Sequence, residues 1–226
     1  MKIAAASDIH GFLWDEIPEC DVMFLAGDLM PFIGHHSKKA RLKWLDEDFR
    51  QWLLHVGYSS PKGVPVIGCA GNHDWPFYEY PEEVAALKLP WTYLQDSHTM
   101  FQGLKVYGTP WQRVFYDWAF NLQEHQLAGK WNLIPDDTDI LLCHSPPKFY
   151  GDLTRDGRHE GSESLTWRIK QIEPKLVIFG HIHNGRGEAR DNKTLYTNVS
   201  FLDESYHPVH GFWTMEMDFD EKKEED

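Results

Sequence analysis

The stretch Val66-Ile67-Gly68-Cys69-Ala70-Gly71-Asn72-His73-Asp74 decides how the chain folds and where its chemistry lies. The apolar run Val64–Ala70, with Pro65 near its start, reads as a buried strand that Gly71 ends. Directly after it come Asn72, His73 and Asp74, side chains that bind metals or move protons. The same arrangement recurs four times. Ile3–Ser7 runs into Asp8-Ile9-His10-Gly11, and Val22–Ala26 into Gly27-Asp28. Ile140–Cys143 runs into His144-Ser145-Pro146-Pro147, and Leu176–Phe179 into Gly180-His181-Ile182-His183. Layered α/β folds deliver functional groups at the carboxyl ends of their strands, so five strand ends are expected to converge.

The converging set is Asp8, His10, Asp28, Asn72, His144, His181 and His183: two carboxylates, one amide oxygen and four imidazoles. Asp8 and His10 are two apart, so on an extended segment both point the same way, and His181 and His183 repeat that spacing. Seven ligands exceed what one tetrahedral ion takes and suit two ions that share a carboxylate, with Asp28 the bridge. Mixed nitrogen and oxygen donors without thiolate favour manganese, iron, zinc or cobalt over calcium, manganese first. Alone, each motif is commonly a turn or a loop. Their joint occurrence in this order, each at a strand end, points to a metal centre.

Around these strands the pattern alternates. Ser37–Tyr58 reads as a helix with Leu42, Leu45, Phe49, Trp52, Leu53 and Val56 on one face. Helices are also expected over Glu82–Lys88, Glu124–Leu133 and Ser162–Ile172. Further strands are expected over Thr92–Leu94, His98–Phe101, Leu104–Tyr107, Thr194–Val199 and Phe212–Phe219. One domain is expected over 1–219, followed by a charged tail, 220–226.

Lys and Arg number 22 against 35 Asp and Glu, a formal charge of −13 over 226 residues. With no basic stripe, this disfavours long nucleic acid and anionic membranes but leaves small anionic substrates open if metal ions supply positive charge. No apolar run approaches membrane-span length, and the N-terminus lacks a secretory h-region. The three scattered cysteines, Cys20, Cys69 and Cys143, argue for a reducing compartment, so a cytoplasmic location is expected.

The motifs resemble the calcineurin-like metallophosphoesterase superfamily, whose pattern is Asp-x-His, Gly-Asp, Gly-Asn-His-Asp/Glu, His, Gly-His-x-His. Every position matches. Tyr93–Ser97, Gly108–Trp111, Phe120–Leu122, Pro174–Gly187 and Asn198–Ser200 are further similar to the metallophosphoesterase-domain (MPPED) family, related to class III cyclic-nucleotide phosphodiesterases. The resemblance implies an α/β fold, a four-layer αββα sandwich, with a dinuclear site. One divalent transition-metal ion would take Asp8, His10, Asp28 and His183; the other, Asp28, Asn72, His144 and His181. Some members carry Gly at the position of His181, which this chain keeps. The chain departs from the phosphoprotein phosphatases in following Gly27-Asp28 with Leu29-Met30-Pro31 rather than Asp-Arg-Gly, and in ending the histidine motif with Asp74 rather than Glu.

A metal-activated hydroxide would attack the phosphorus, while His73, spare in the ligand count, protonates the leaving oxygen and Asp74 orients its ring. Trp111, Phe115, Tyr116 and Trp118 are candidates for a base-stacking wall, and Arg113, Arg186 and His159 for phosphate or ribose contacts. His35 and His36 are expected on an exposed loop, and His98 in a structural position. The leading expectation is a phosphodiesterase for small nucleotides, cyclic nucleotides first. The alternatives are a nuclease on short single-stranded nucleic acid and a metal-binding interaction module with weak phosphoesterase activity.

Overall fold

A computed structural model describes residues 1–32 and 37–218. The expectations for His35, His36 and the tail 220–226 lie outside the described residues.

Two sheets carry the fold. The first contains β1 (Lys2–Ala6), β2 (Val22–Ala26), β3 (Val66–Cys69) and β4 (Thr92–Tyr93), all parallel, with the last strand of the chain antiparallel beside β1. The second is built from β5 (Ser97–Phe101), β6 (Leu104–Thr109), β9 (Ile140–Cys143), β10 (Leu176–Phe179), β11 (Gly187–Arg190) and β12 (Leu195–Asn198). Its order is β11-β12-β10-β9-β6-β5, with β6, β9, β10 and β12 parallel and an antiparallel strand at each edge. The chain's last strand is β13 (Trp213–Glu216), and a small ribbon pairs β7 (Gln112–Arg113) with β8 (Asn121–Leu122).

Strand alternation sorts the core into three layers, because the inner strands of both sheets are buried on both faces. Ile3, Ala5, Val22, Phe24 and Ile67 point between the sheets, meeting Val106, Ile140, Leu142, Leu176 and Ile178. Their neighbours Ala4, Ala6, Met23, Leu25 and Val66 point outward to Trp44, Phe49, Trp52, Leu53 and Val56. These belong to α1 (Lys38–Trp44), a π-helical stretch (Leu45–Phe49) and α2 (Arg50–Gly57). On the far side Tyr107, Leu141, Val177 and Tyr196 meet Leu127, Trp131, Leu165 and Ile169 from α5 (Glu124–Trp131) and α6 (Glu163–Ile172). The result is the expected αββα layering. The short helices α3 (Trp75–Glu79) and α4 (Pro81–Leu87) follow β3.

The expected helix over 37–58 forms with a π-helical interruption. The wider turn rotates the inward face, so Trp44 is buried whereas Leu42 is only partly covered. The final strand ends at Glu216, short of Phe219, which itself lies outside the described residues. Among the described residues no helix is long and apolar enough to cross a membrane.

Candidate metal centre

Parallel strands place the ends of β1, β2, β3, β9 and β10 along one edge of the double sheet. Ser7, just past β1, bridges Ser200, just past β12, and so stitches the two sheets together there. The ligand types sit in the turns that follow. Asp8, His10, Asp28 and His181 all have positive φ, at 54°, 41°, 53° and 67°. Such backbone costs about 1–3 kcal/mol per residue and persists where surrounding contacts over-determine it.

The glycines beside the ligands are dictated by close approach. A Cβ on Gly71 would stand 2.3 Å from Asp28 Oδ1, and one on Gly180 would stand 2.1 Å from Asp8 Oδ2. Any side chain at either position would drive a carboxylate out of the centre.

The seven candidate ligands converge. Asp28 Oδ2 is the hub, 3.4 Å from His144 Nε2, 3.8 Å from His10 Nε2 and 3.9 Å from His73 Nε2. On one side His183 Nε2 lies 3.3 Å from Asp8 Oδ1. On the other, Asn72 Oδ1 lies 2.9 Å from both His144 Nε2 and His181 Nδ1. Two metal-sized groups result, Asp8–His10–His183 and Asp28–His144–His181, and a third, His10–Asp28–His73, brings in His73.

These side chains fit divalent ions. Ligands about 2.1 Å from an ion stand about 3.0 Å apart on an octahedral edge and about 3.4 Å on a tetrahedral one. Both ring nitrogens of His10 are buried without a partner, an unsatisfied state that a bound ion would relieve. His144 Nδ1 donates to the Ala26 carbonyl at 2.9 Å and His183 Nδ1 to the Asp203 carbonyl at 2.8 Å, which fixes the tautomer and leaves each Nε2 for the centre. Asp8 accepts from the His181 backbone N–H and from Ser200 Oγ, at 3.0 and 2.9 Å on Oδ2.

Burial pushes His10 and His181 down to about 3, so both imidazoles are neutral. Burial also opposes charge on His144 and His183, but the nearby Asp28 and Asp8 carboxylates outweigh it and raise both to about 9. Burial likewise works against ionising Asp8 and Asp28, and the facing imidazoles nonetheless hold both below the usual carboxylate range.

Asp74 departs from the role expected of it. Asp74 does not touch the His73 ring. Its Oδ1 accepts from the Leu29 and Met30 N–H groups at 2.9 and 2.8 Å, and its Oδ2 from Gly71 N–H at 2.7 Å. Consecutive side chains in this turn point apart, so Asp74 ties the loop after β3 to the loop after β2. Burial, then the Asp28 charge, push its carboxyl up to about 7. The His73 ring is held by aromatic neighbours instead: Trp118 at 4.0 Å, His10 at 4.7 Å and Phe32 at 5.0 Å.

A family model described as Calcineurin-like phosphoesterase matches residues 1–185. The chain belongs to the calcineurin-like phosphoesterase family. Metallophosphoesterase domain-containing protein 1 of Homo sapiens is 34% identical over 221 residues, covering 86% of this chain. This chain spans 64% of that relative's length, and the same figures hold for the Mus musculus protein. A UPF0046 protein of Caenorhabditis elegans is 43% identical over 115 residues, 50% of this chain and 29% of its own. One solved crystal structure matches 95% of this chain and 98% of its own with a TM-score of 0.62; at 16% identity the likeness concerns the fold.

Several rim residues depart from expectation. A cleft of about 360 Å³ opens beside His181 and His183, lined by Arg113, Phe115, Arg158, Glu160 and Tyr206 among others. Phe115 lines the cleft and stands edge-on to His181 at 5.9 Å. Trp111 lies away from the cleft. Its Nε1 donates to Asp96 at 2.8 Å and Lys130 sits 4.1 Å over its ring, so it is structural. Arg186 is also structural, donating to the Ser200 and Gly211 carbonyls at 2.7 and 2.9 Å. Tyr116 is 80% exposed at a loop tip, outside the cleft lining. Trp118 covers His73, and His159 pairs with Asp152 at 2.7 Å. His98 is exposed on edge strand β5.

Sequence reasoning missed Ser200, Phe32, Arg158, Glu160 and Tyr206. Ser200 was within reach, as it follows another strand end, β12. The others come from loops without a motif.

Proposed function

We propose that this chain is a dinuclear metal-dependent phosphodiesterase acting on small nucleotide diesters, cyclic nucleotides first. The observation that carries the reading is Asp28 Oδ2, which gathers the Nε2 atoms of His10, His73 and His144 within 3.4–3.9 Å. Two bound divalent ions, manganese first, would supply activated water and neutralise charge on the phosphate.

The chain's own residues do the rest. Asp28 Oδ1 accepts from the His73 backbone N–H at 2.8 Å, which fixes that residue against the centre. Trp118 and Phe32 set the ring plane, so that Nε2 can hand a proton to the leaving oxygen. Ser200 Oγ and the His181 N–H hold Asp8 in place. Phe115 and Tyr206 give the cleft apolar faces for a base. Its 360 Å³ sits at the small end of ligand pockets, roughly 300–1,000 Å³, a fit for one nucleotide rather than a strand.

The test is a panel with manganese-loaded protein: 2′,3′- and 3′,5′-cyclic nucleotides, a linear dinucleotide and single-stranded DNA. Cyclic nucleotides should give the highest kcat/KM. Preference for DNA would replace the reading with the nuclease. Absence of turnover on all of them, with metals bound, would leave an interaction module.

A further inference from the structure

We propose that Glu160 is a specificity-determining residue that confines the cleft to substrates whose single anionic charge is the scissile diester. This rests on the diesterase reading above. Arg113 reaches the cleft from β7 and Arg158 from a loop, and one carboxylate spans them. Arg113 Nη1 lies 3.2 Å from Glu160 Oε2, and Arg158 Nη1 lies 3.2 Å from Glu160 Oε1.

The two guanidiniums offer what a phosphate monoester needs: two donor groups of fixed geometry facing one anion. Glu160 already stands in that place. The other edge of each arginine is also taken, Arg113 Nε by Glu124 at 3.5 Å and Arg158 Nε by Asp156 at 2.8 Å. Glu204 adds a further carboxylate to the lining. The two guanidiniums thus pair with three carboxylates, Glu124, Asp156 and Glu160, and Glu204 also lines the cleft. A second phosphate on the substrate would have to displace Glu160 against that charge. A neutral nucleoside portion meets no such cost, and the ribose hydroxyls find both donors and acceptors along the same row. The cleft therefore selects by exclusion.

The experiment compares thymidine 5′-(p-nitrophenyl phosphate) with its 3′-phosphorylated counterpart, substrates that differ by one phosphate monoester. With manganese-loaded wild type, kcat/KM should favour the first by about tenfold or more. Glu160→Gln should erase most of that ratio. A second arm titrates metal-free protein with inorganic phosphate by calorimetry. Glu160→Gln should gain phosphate affinity over wild type, and adding Arg158→Gln should remove the gain. Equal wild-type rates on both esters, an unchanged ratio in Glu160→Gln, or no gain in phosphate binding would overturn the assignment. If the loaded wild type cleaves neither ester, the diesterase reading falls by itself, and the phosphate titration still decides what Glu160 does to the arginines.

Discussion

Asn72 Oδ1 and His181 Nδ1 lie 2.9 Å apart although 109 positions separate them in the chain. One belongs to the turn after β3 in the first sheet and the other to the turn after β10 in the second. An ion on this side of Asp28 would be held by both sheets at once.

Reconstituted wild type should therefore carry two divalent ions, and His181→Ala or His144→Ala should lose chiefly one of them. Elemental analysis of the purified proteins reads this directly. A single ion in fully reconstituted wild type would end the dinuclear assignment.

His73→Ala should keep both metals. Its rate should fall about 10²–10⁴-fold on diesters with a nucleoside leaving group, the usual range for general acid catalysis. The loss should be much smaller on p-nitrophenyl esters, which depart without a proton. Equal losses on both would make His73 a phosphate-positioning group.

Asp74→Asn should act on stability. The carboxylate accepts three backbone N–H groups, whereas the amide presents its own donors to some of them, at a cost of about 1–3 kcal/mol. Melting temperatures should drop and metal affinity should weaken with them. A rate loss confined to poor leaving groups, at unchanged melting temperature, would restore a ring-orienting role.

Gly180→Ala should abolish metal binding while Gly103→Ala leaves it intact. A Cβ at Gly180 meets Asp8 Oδ2 at 2.1 Å, whereas one at Gly103 meets nothing within 4 Å. Manganese titration of both variants decides this, and tight binding by Gly180→Ala would show that Asp8 can move without cost.

The three thiols should be inert. All are buried, and burial pushes Cys20 up to about 11 and raises Cys69 and Cys143 as well. The thiolate is the reactive form, so at pH 8 a disulfide reagent should label none in the native protein and three after denaturation. For Cys20, reactivity should rise only as the pH approaches its shifted value. Rapid labelling at pH 8 would contradict the burial.

The sheets and the convergence of the candidate ligands were legible because both depend on short-range patterns. Strands buried on both faces leave continuous apolar runs, and the residues next to Asn72 and His181 had to be glycine. The side-chain partners were not legible. Asp74 adjoins His73 in sequence but points to Leu29 and Met30, because a turn sends neighbours to opposite sides. Trp111 looked like a rim aromatic, yet Asp96 and Lys130 hold it partly buried and away from the cleft. The Arg113–Glu160–Arg158 row joins β7 to a loop 47 residues further on and leaves no periodic trace.

The stitch between Asp8 and Ser200 spans 192 positions. Asp8, His10 and Asp28 leave the ribosome well before their partners His181, His183 and Ser200. Closing loops of that length is slow, so the candidate ion sites are completed only once Ser200 has been synthesised and the two sheets have docked. Metal uptake would thus be a timestamp on maturation: a chain that holds both ions has docked its two sheets.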